Sequence, residues 1–157
     1  MNIRPTDTAD IPALMTIADA TGLFPGEMLP DMVGGALADP PNGELWLTAE
    51  DAGIVVGFCY AVPEMLAGGS WNMLAIGVLP GRQGEGVGRA LCRRLETALQ
   101  ESGARILIAD TSGTDGFDAT GKFYAAAGYS EIARIPEFWG PGDDKVTFWK
   151  AVSVSTK

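Results

Sequence analysis

Histidine is absent from all 157 residues. Ser-His-Asp and Cys-His nucleophile systems are therefore excluded, and so are histidine metal sites. Only two cysteines occur, Cys59 and Cys92. They form no CxxC pair, so neither a disulfide framework nor a thiolate metal centre is expected. Both read as small apolar residues in half-buried elements. A cysteine nucleophile would need a basic partner to lower its thiol pKa, and the sequence offers none. No apolar run approaches the roughly 18–20 residues that span a bilayer. The opening Met1-Asn2-Ile3-Arg4-Pro5 has no h-region. A cytoplasmic protein without membrane contact is expected. Positive charge is scarce, with 11 Lys and Arg against 20 Asp and Glu and a net charge of -9. Such a surface repels phosphate backbones, so no nucleic-acid partner is expected. It attracts small cations, and it also serves solubility.

Glycine is abundant, at 21 residues, and it falls between periodic segments rather than in a linker. Without repeats or low-complexity stretches, one domain over residues 1–157 is expected. Residues 1–4 read as a short strand. Ile11, Leu14, Met15 and Ala18 give helical spacing over residues 7–20, with Thr6 or Asp7 as N-cap and Gly22 as the stop. A second helix is expected over 31–38. Residues 44–50 alternate as a half-buried strand, and Asp51-Ala52-Gly53 turns the chain into a strand over 54–62. A third apolar strand covers 71–78. Val87, Ala90, Leu91, Leu95, Ala98 and Leu99 share one face of a helix over 86–100. A buried strand over 105–110 follows. A helix over 117–127 and two strands, 129–135 and 145–152, close the chain around a Pro/Gly-rich loop. The order β-α-α-β-β-β-α-β-α-β-β, about seven strands with four helices, predicts an α/β mixed sheet. Its unit from 71 to 110 predicts one parallel pairing.

The chemistry concentrates where strand 71–78 meets the helix, at Pro80-Gly81-Arg82-Gln83-Gly84-Glu85-Gly86-Val87-Gly88-Arg89. The first helical N–H groups have no intrahelical partner, and the helix dipole adds positive charge there. Three glycines let an anion approach the backbone, as in a phosphate or pyrophosphate cradle. A P-loop would need Lys and Ser/Thr where Val87 and Gly88 stand. A GxGxxG fingerprint fails at Arg89 or at Leu91, although Asp110 would mimic its ribose-binding acid. Glycines at a tight structural corner are the plain alternative.

Gln83-Gly84-Glu85-Gly86-Val87-Gly88 fits Gln/Arg-x-x-Gly-x-Gly/Ala. Here the sequence resembles the GNAT superfamily of N-acetyltransferases. Lys122-Phe123-Tyr124-Ala125-Ala126-Ala127-Gly128-Tyr129 is similar to that family's FY-x-x-x-GF/GY segment. Residues 136–145 resemble a bacterial subgroup ending in DFY-x-PGDDK, as do Thr21-Gly22-Leu23-Phe24 and Thr111-Ser112-Gly113. The resemblance implies the GNAT acyl-CoA N-acyltransferase fold, with acetyl-CoA as co-substrate, no metal, and a small-molecule amine as acceptor. It implies that Gln83, Gly84, Glu85, Gly86, Val87, Gly88 and Arg89 hold the CoA pyrophosphate. Ile76, Gly77 and Val78 would line the pantetheine arm, in a strand splayed from its neighbour. The Val78 N–H would stabilise the oxyanion. Tyr124 would protonate the leaving thiolate, since a tyrosine pKa of about 10 is close to that of a thiol; read without the family, it is a core aromatic. Glu27, Glu64, Asp110, Asp143 and Asp144 are candidates for the base, beside a water chain. Two departures stand out. Phe117 occupies the position of a cofactor-contacting Asn, and Leu74 and Ala75 replace bulky aromatics, which implies a reshaped acceptor pocket. Dimers are common in the family, so a homodimer is compatible. A non-catalytic acyl-CoA sensor of the same fold is the alternative function.

Overall fold

The computed structural model describes residues 1–153; residues 154–157, part of the single-domain expectation, lie outside the described residues. The chain runs β1 (Asn2–Pro5), α1 (Ile11–Thr21), α2 (Leu29–Leu37), β2 (Leu45–Asp51), β3 (Ile54–Pro63) and β4 (Ser70–Val78). It continues through α3 (Val87–Glu101), β5 (Ile106–Ser112), α4 (Phe117–Ala126), β6 (Ser130–Gly140) and β7 (Asp143–Ala151). This is the element order expected. The strands form one sheet in the order β1-β2-β3-β4-β5-β7-β6. Two compact units divide the chain: Met1–Val62 with Leu74–Leu95, and Pro63–Met73 with the described residues from Glu96 onward.

In the first unit, Asp7 caps a 3-10 turn, Thr8–Asp10, that leads into α1. Its carboxylate accepts from Ala9 N–H at 2.8 Å, and Asp10 answers by accepting from Asp7 N–H at 2.9 Å. Gly22, at φ 69°, ends α1 in the left-handed conformation. The second helix starts earlier than expected. A 3-10 turn, Gly26–Met28, feeds it, and Pro30 is tolerated in its first turn, where a missing N–H costs nothing. β1, β2 and β3 pair antiparallel. Ala52 and Gly53 join β2 to β3 with φ of 50° and 79°, a two-residue turn whose twist matches the strands.

β2 is not half-buried: Trp46, Leu47, Thr48 and Ala49 are all covered. Thr48 can be buried because its hydroxyl shares a 2.8 Å bond with Thr6 and donates to Asp10 at 3.1 Å. The alternation of polar and apolar letters therefore misled. The cysteines correct the same way, since both are fully buried. The unit's core joins Leu14, Ile17, Leu29 and Val33 to Trp46, Phe58, Tyr60 and Ala75.

In the second unit, β4 begins parallel to β5, from Ser70 opposite Ile106 to Met73 opposite Ala109. β5 and β7 pair antiparallel, as do β7 and β6. The expected Pro/Gly-rich closing loop is instead a continuation of both strands around Pro141-Gly142. β6 ends the sheet order, so Pro136 within it removes no obligatory ladder bond. Register shifts and Glu137 at φ 52° mark where that strand bulges. Tyr124 stacks on Phe148 with ring centroids 4.7 Å apart and meets Tyr129 edge-on at 5.4 Å. Glu96, buried in the last half of α3, accepts from Tyr129 Oη and Lys150 Nζ, each at 2.7 Å.

Candidate active site

The strand-corner-helix segment lies within the first unit. α3 seats its first turns on β3 at Gly57. A Cβ there would meet the Gly77 carbonyl at 2.9 Å, Val87 Cγ1 at 3.0 Å and Leu91 Cδ1 at 3.3 Å. Leu79 N–H donates to the Val56 carbonyl at 2.9 Å, which ties the end of β4 to β3. A 3-10 turn, Pro80–Arg82, follows. Gln83 Nε2 then reaches back to the Val78 carbonyl at 3.2 Å. The corner is thus clamped at both ends.

Between the clamps, Gly84 and Gly86 adopt φ of 81° and 88°, a region that side chains avoid. Nothing stands within 4 Å of a Cβ built on either. Ala90 N–H donates to the Gly86 carbonyl at 3.0 Å, which opens the helix. The N–H groups of Val87, Gly88 and Arg89 precede that first bond, so they lack intrahelical partners. The result is an uncrowded stretch of backbone with main-chain donors at the positive end of a 15-residue helix. Glu85 would oppose an anion there. Arg82 offsets it, donating to Glu85 Oε1 at 2.9 Å and to Asp51 Oδ2 at 2.5 Å. The same guanidinium holds the Asp51 carboxyl below the usual carboxylate range.

Ile76 and Val78 are half-buried on β4, whereas Gly77 is buried. Ile17, Leu23 and Phe58 pack over the space a Gly77 side chain would need. Cys59 is no nucleophile: complete burial pushes its thiol far above the ordinary range. Tyr60 is likewise pushed up to about 12, by burial first and then by its 3.0 Å bond to Glu44.

The second unit holds Tyr124, buried on α4 within the aromatic cluster. Phe117, which stands where an Asn was expected, stacks toward Phe148 at 6.3 Å and lies 4.8 Å beneath the Arg134 guanidinium. Packing explains that residue. Of the candidate bases, Asp143 accepts from Ser112 at 2.5 Å and Asp144 accepts from Glu137 N–H at 3.0 Å. Asp110 accepts from Thr147 at 2.6 Å and from Asn72 at 3.3 Å, and pairs with Lys145 at 3.4 Å. Asn72 also donates to Glu64 at 3.2 Å. Glu27 is exposed in its 3-10 turn in the first unit. Sequence reasoning missed Asn72 and Arg82. The signal for Asn72 was a carboxamide inside an apolar strand; nothing local announced the reach of Arg82 to Asp51.

The family model for the acetyltransferase (GNAT) domain matches residues 41–131, which include β2 through α4 and the whole corner. The chain belongs to the GNAT acetyltransferase family. The fold agrees. A protein from Desulfovibrio desulfuricans assigned to the GNAT family superposes with a TM-score of 0.88 at 27% identity, covering 96% of this chain and 98% of that one. A ribosomal-protein-alanine N-acetyltransferase from Brucella melitensis gives 0.81 at 23%, over 96% and 99%. A protein from Salmonella typhimurium described as an acetyltransferase and solved with its cofactor acetyl-CoA gives 0.81 at 20%, over 100% and 96%. No curated protein matches the sequence. As a GNAT acetyltransferase, the chain is not the dinucleotide-binding alternative, and Asp110 is held by Thr147, Asn72 and Lys145. Among the described residues, no group of three or more Cys, Asp and Glu is placed to hold a metal ion. No helix among them is long and apolar enough to cross a membrane.

Proposed function

We propose that this GNAT acetyltransferase moves an acetyl group from acetyl-CoA to a small cationic primary amine. One observation carries the reading: the open corner from Gln83 to Arg89, with two left-handed glycines and unpartnered helix amides, suits a diphosphate. Main-chain donors from Gly84 to Arg89 hold that diphosphate, and Ile76, Gly77 and Val78 run beside the pantetheine arm. The bound ammonium first gives up a proton to a carboxylate or a water chain, and the neutral amine then attacks the thioester carbonyl directly. The Val78 N–H stabilises the tetrahedral oxyanion. As the carbon–sulfur bond breaks, Tyr124 gives its proton to the thiolate, and the surplus proton on the new amide nitrogen passes through water to restore the tyrosine hydroxyl. The acceptor class rests on the net charge of -9, which favours cations. On residues 136–145 we also assign the chain to the bacterial subgroup with a DFY-x-PGDDK-like end, acting in the cytoplasm as one domain.

The test has two parts. Calorimetry with acetyl-CoA measures binding, and free thiol released in the presence of a panel of primary amines measures transfer. Gly86→Val is expected to abolish acetyl-CoA binding by closing the cradle. Full affinity in that variant would move the phosphate site elsewhere. Tight binding without amine-dependent thiol release would mark a sensor rather than an enzyme.

A further inference from the structure

Asn72 is 7% exposed, a polar side chain within β4. Its Nδ2 donates to two carboxylates from different segments, Glu64 Oε1 at 3.2 Å and Asp110 Oδ2 at 3.3 Å. Its Oδ1 is buried with no hydrogen-bond partner. Exchanging oxygen and nitrogen offers no cure, because an acceptor would then face two carboxylates. A buried acceptor without a donor burdens the fold and calls for an explanation.

The two carboxylates differ. Asp110 takes Thr147 on Oδ1 at 2.6 Å, and Asn72 and Lys145 on Oδ2 at 3.3 and 3.4 Å. Glu64 is exposed. Its backbone is pinned: Glu64 N–H donates to the Ser70 carbonyl at 2.8 Å, and Arg105 grips the Gly68 carbonyl at 2.7 and 3.0 Å. Lys145 pairs with Asp110, whereas among the described residues no ion pair reaches Glu64, whose side chain meets only Asn72 Nδ2. The cluster has acceptors and charge to spare, and what it lacks is a cationic N–H donor.

We propose that Glu64, Asn72 and Asp110 form the seat of the acceptor's ammonium group. This deepens the acetyl-transfer reading and rests on it. Glu64 pairs with the cation. Asn72 is a positioning residue for Glu64 and presents Oδ1 as a second acceptor. Asp110, held by its own donors, anchors Asn72 Nδ2 and so fixes the orientation of the carboxamide. The Glu64 side chain is the neighbour that yields as the ammonium enters, while its pinned backbone stays. The seat selects cations bearing N–H groups; a quaternary ammonium cannot satisfy Oδ1.

The experiment titrates ethanolamine, phenethylamine and spermidine into CoA-bound protein, with tetraethylammonium as the cation lacking N–H, and follows acetylation of the same amines. At least one primary amine is expected to bind, and tetraethylammonium at least tenfold more weakly. Glu64→Gln raises the acceptor Kd and KM at least tenfold, Glu64→Asp recovers part of the loss, and acetyl-CoA binding is unchanged in both. Asn72→Leu, which keeps the side-chain branching but removes both polar atoms, raises the acceptor Kd at least tenfold. A merely structural asparagine would lower Tm and leave the acceptor alone. The seat is overturned if Glu64→Gln binds the amines as wild type does, or if wild type binds acetyl-CoA but none of the amines. Failure of wild type to bind acetyl-CoA falls on the acetyl-transfer reading instead.

Discussion

Glycine serves two physical purposes around the corner, and substitution separates them. At Gly84 and Gly86 the need is conformational, since φ is left-handed and the surroundings are open. At Gly57 the need is space, because an added methyl would press on the Gly77 carbonyl and on Val87 and Leu91. A backbone carbonyl yields less readily than a side-chain tip. Gly57→Ala is expected to cost about 2 kcal/mol by overpacking, read as a lower urea midpoint at unchanged slope. It should also weaken acetyl-CoA binding, because α3 carries the cradle amides and must shift. An unchanged midpoint would show that the helix can move away freely. Tyr124→Phe isolates chemistry from packing, since the ring stacked on Phe148 is retained. Turnover should fall by roughly tenfold to a thousandfold, while acetyl-CoA affinity and Tm hold. Wild-type turnover would remove Tyr124 from the proton transfer. The two conformational glycines were legible in the sequence, because with Gly88 they form a glycine run opening an amphipathic helix, a local pattern. Gly57 was not, because its reason is a helix 30 residues further on.

At the scale of elements, the start of α1 depends on one buried carboxylate. Asp10 takes the two terminal Arg4 nitrogens, at 2.7 and 2.8 Å, together with Asp7 N–H and the Thr48 hydroxyl. The Arg4 hydrogen bonds, more than anything else, hold its carboxyl below the ordinary value. A lowered folded pKa means that the unfolded chain binds the proton more readily. The stabilisation is therefore complete above the unfolded value of about 3.9, and it is lost as pH falls through the folded value. Asp10→Asn should cost about 2 kcal/mol at pH 7, from the charged hydrogen bonds alone. Denaturant titrations of variant and wild type should converge as the pH drops below the folded value. A gap independent of pH would mean that shape, not charge, is what Asn lacks. Element type and order could be read from periodicity, since α3 and its neighbours carry long patterns. The misses came from tertiary pairing. Thr48 reads as a solvent-facing residue until Thr6 and Asp10 come to it from β1 and its following turn. The segment around Pro136 reads as a loop until its place at the end of the sheet order makes a proline harmless.

For the whole molecule, the question is how an acidic protein treats its two substrates. A net charge of -9 opposes a CoA diphosphate and favours an ammonium. In the proposed site the corner would answer locally, through helix amides and the Arg82 pairing with Glu85 and Asp51. Those short-range donors persist when salt is added. The general attraction for a cation does not, because exposed charges are screened beyond roughly 8–10 Å at physiological ionic strength. Raising sodium chloride from 20 to about 300 mM should therefore lower kcat/KM for a cationic amine several-fold. The same change should leave acetyl-CoA affinity unchanged or slightly improved. Stopped-flow or steady-state rates at matched pH, with thiol release as the signal, make the comparison. If amine and acetyl-CoA respond to salt in the same direction and degree, the surface charge serves solubility alone. The acceptor would then have to be sought among neutral or anionic amines.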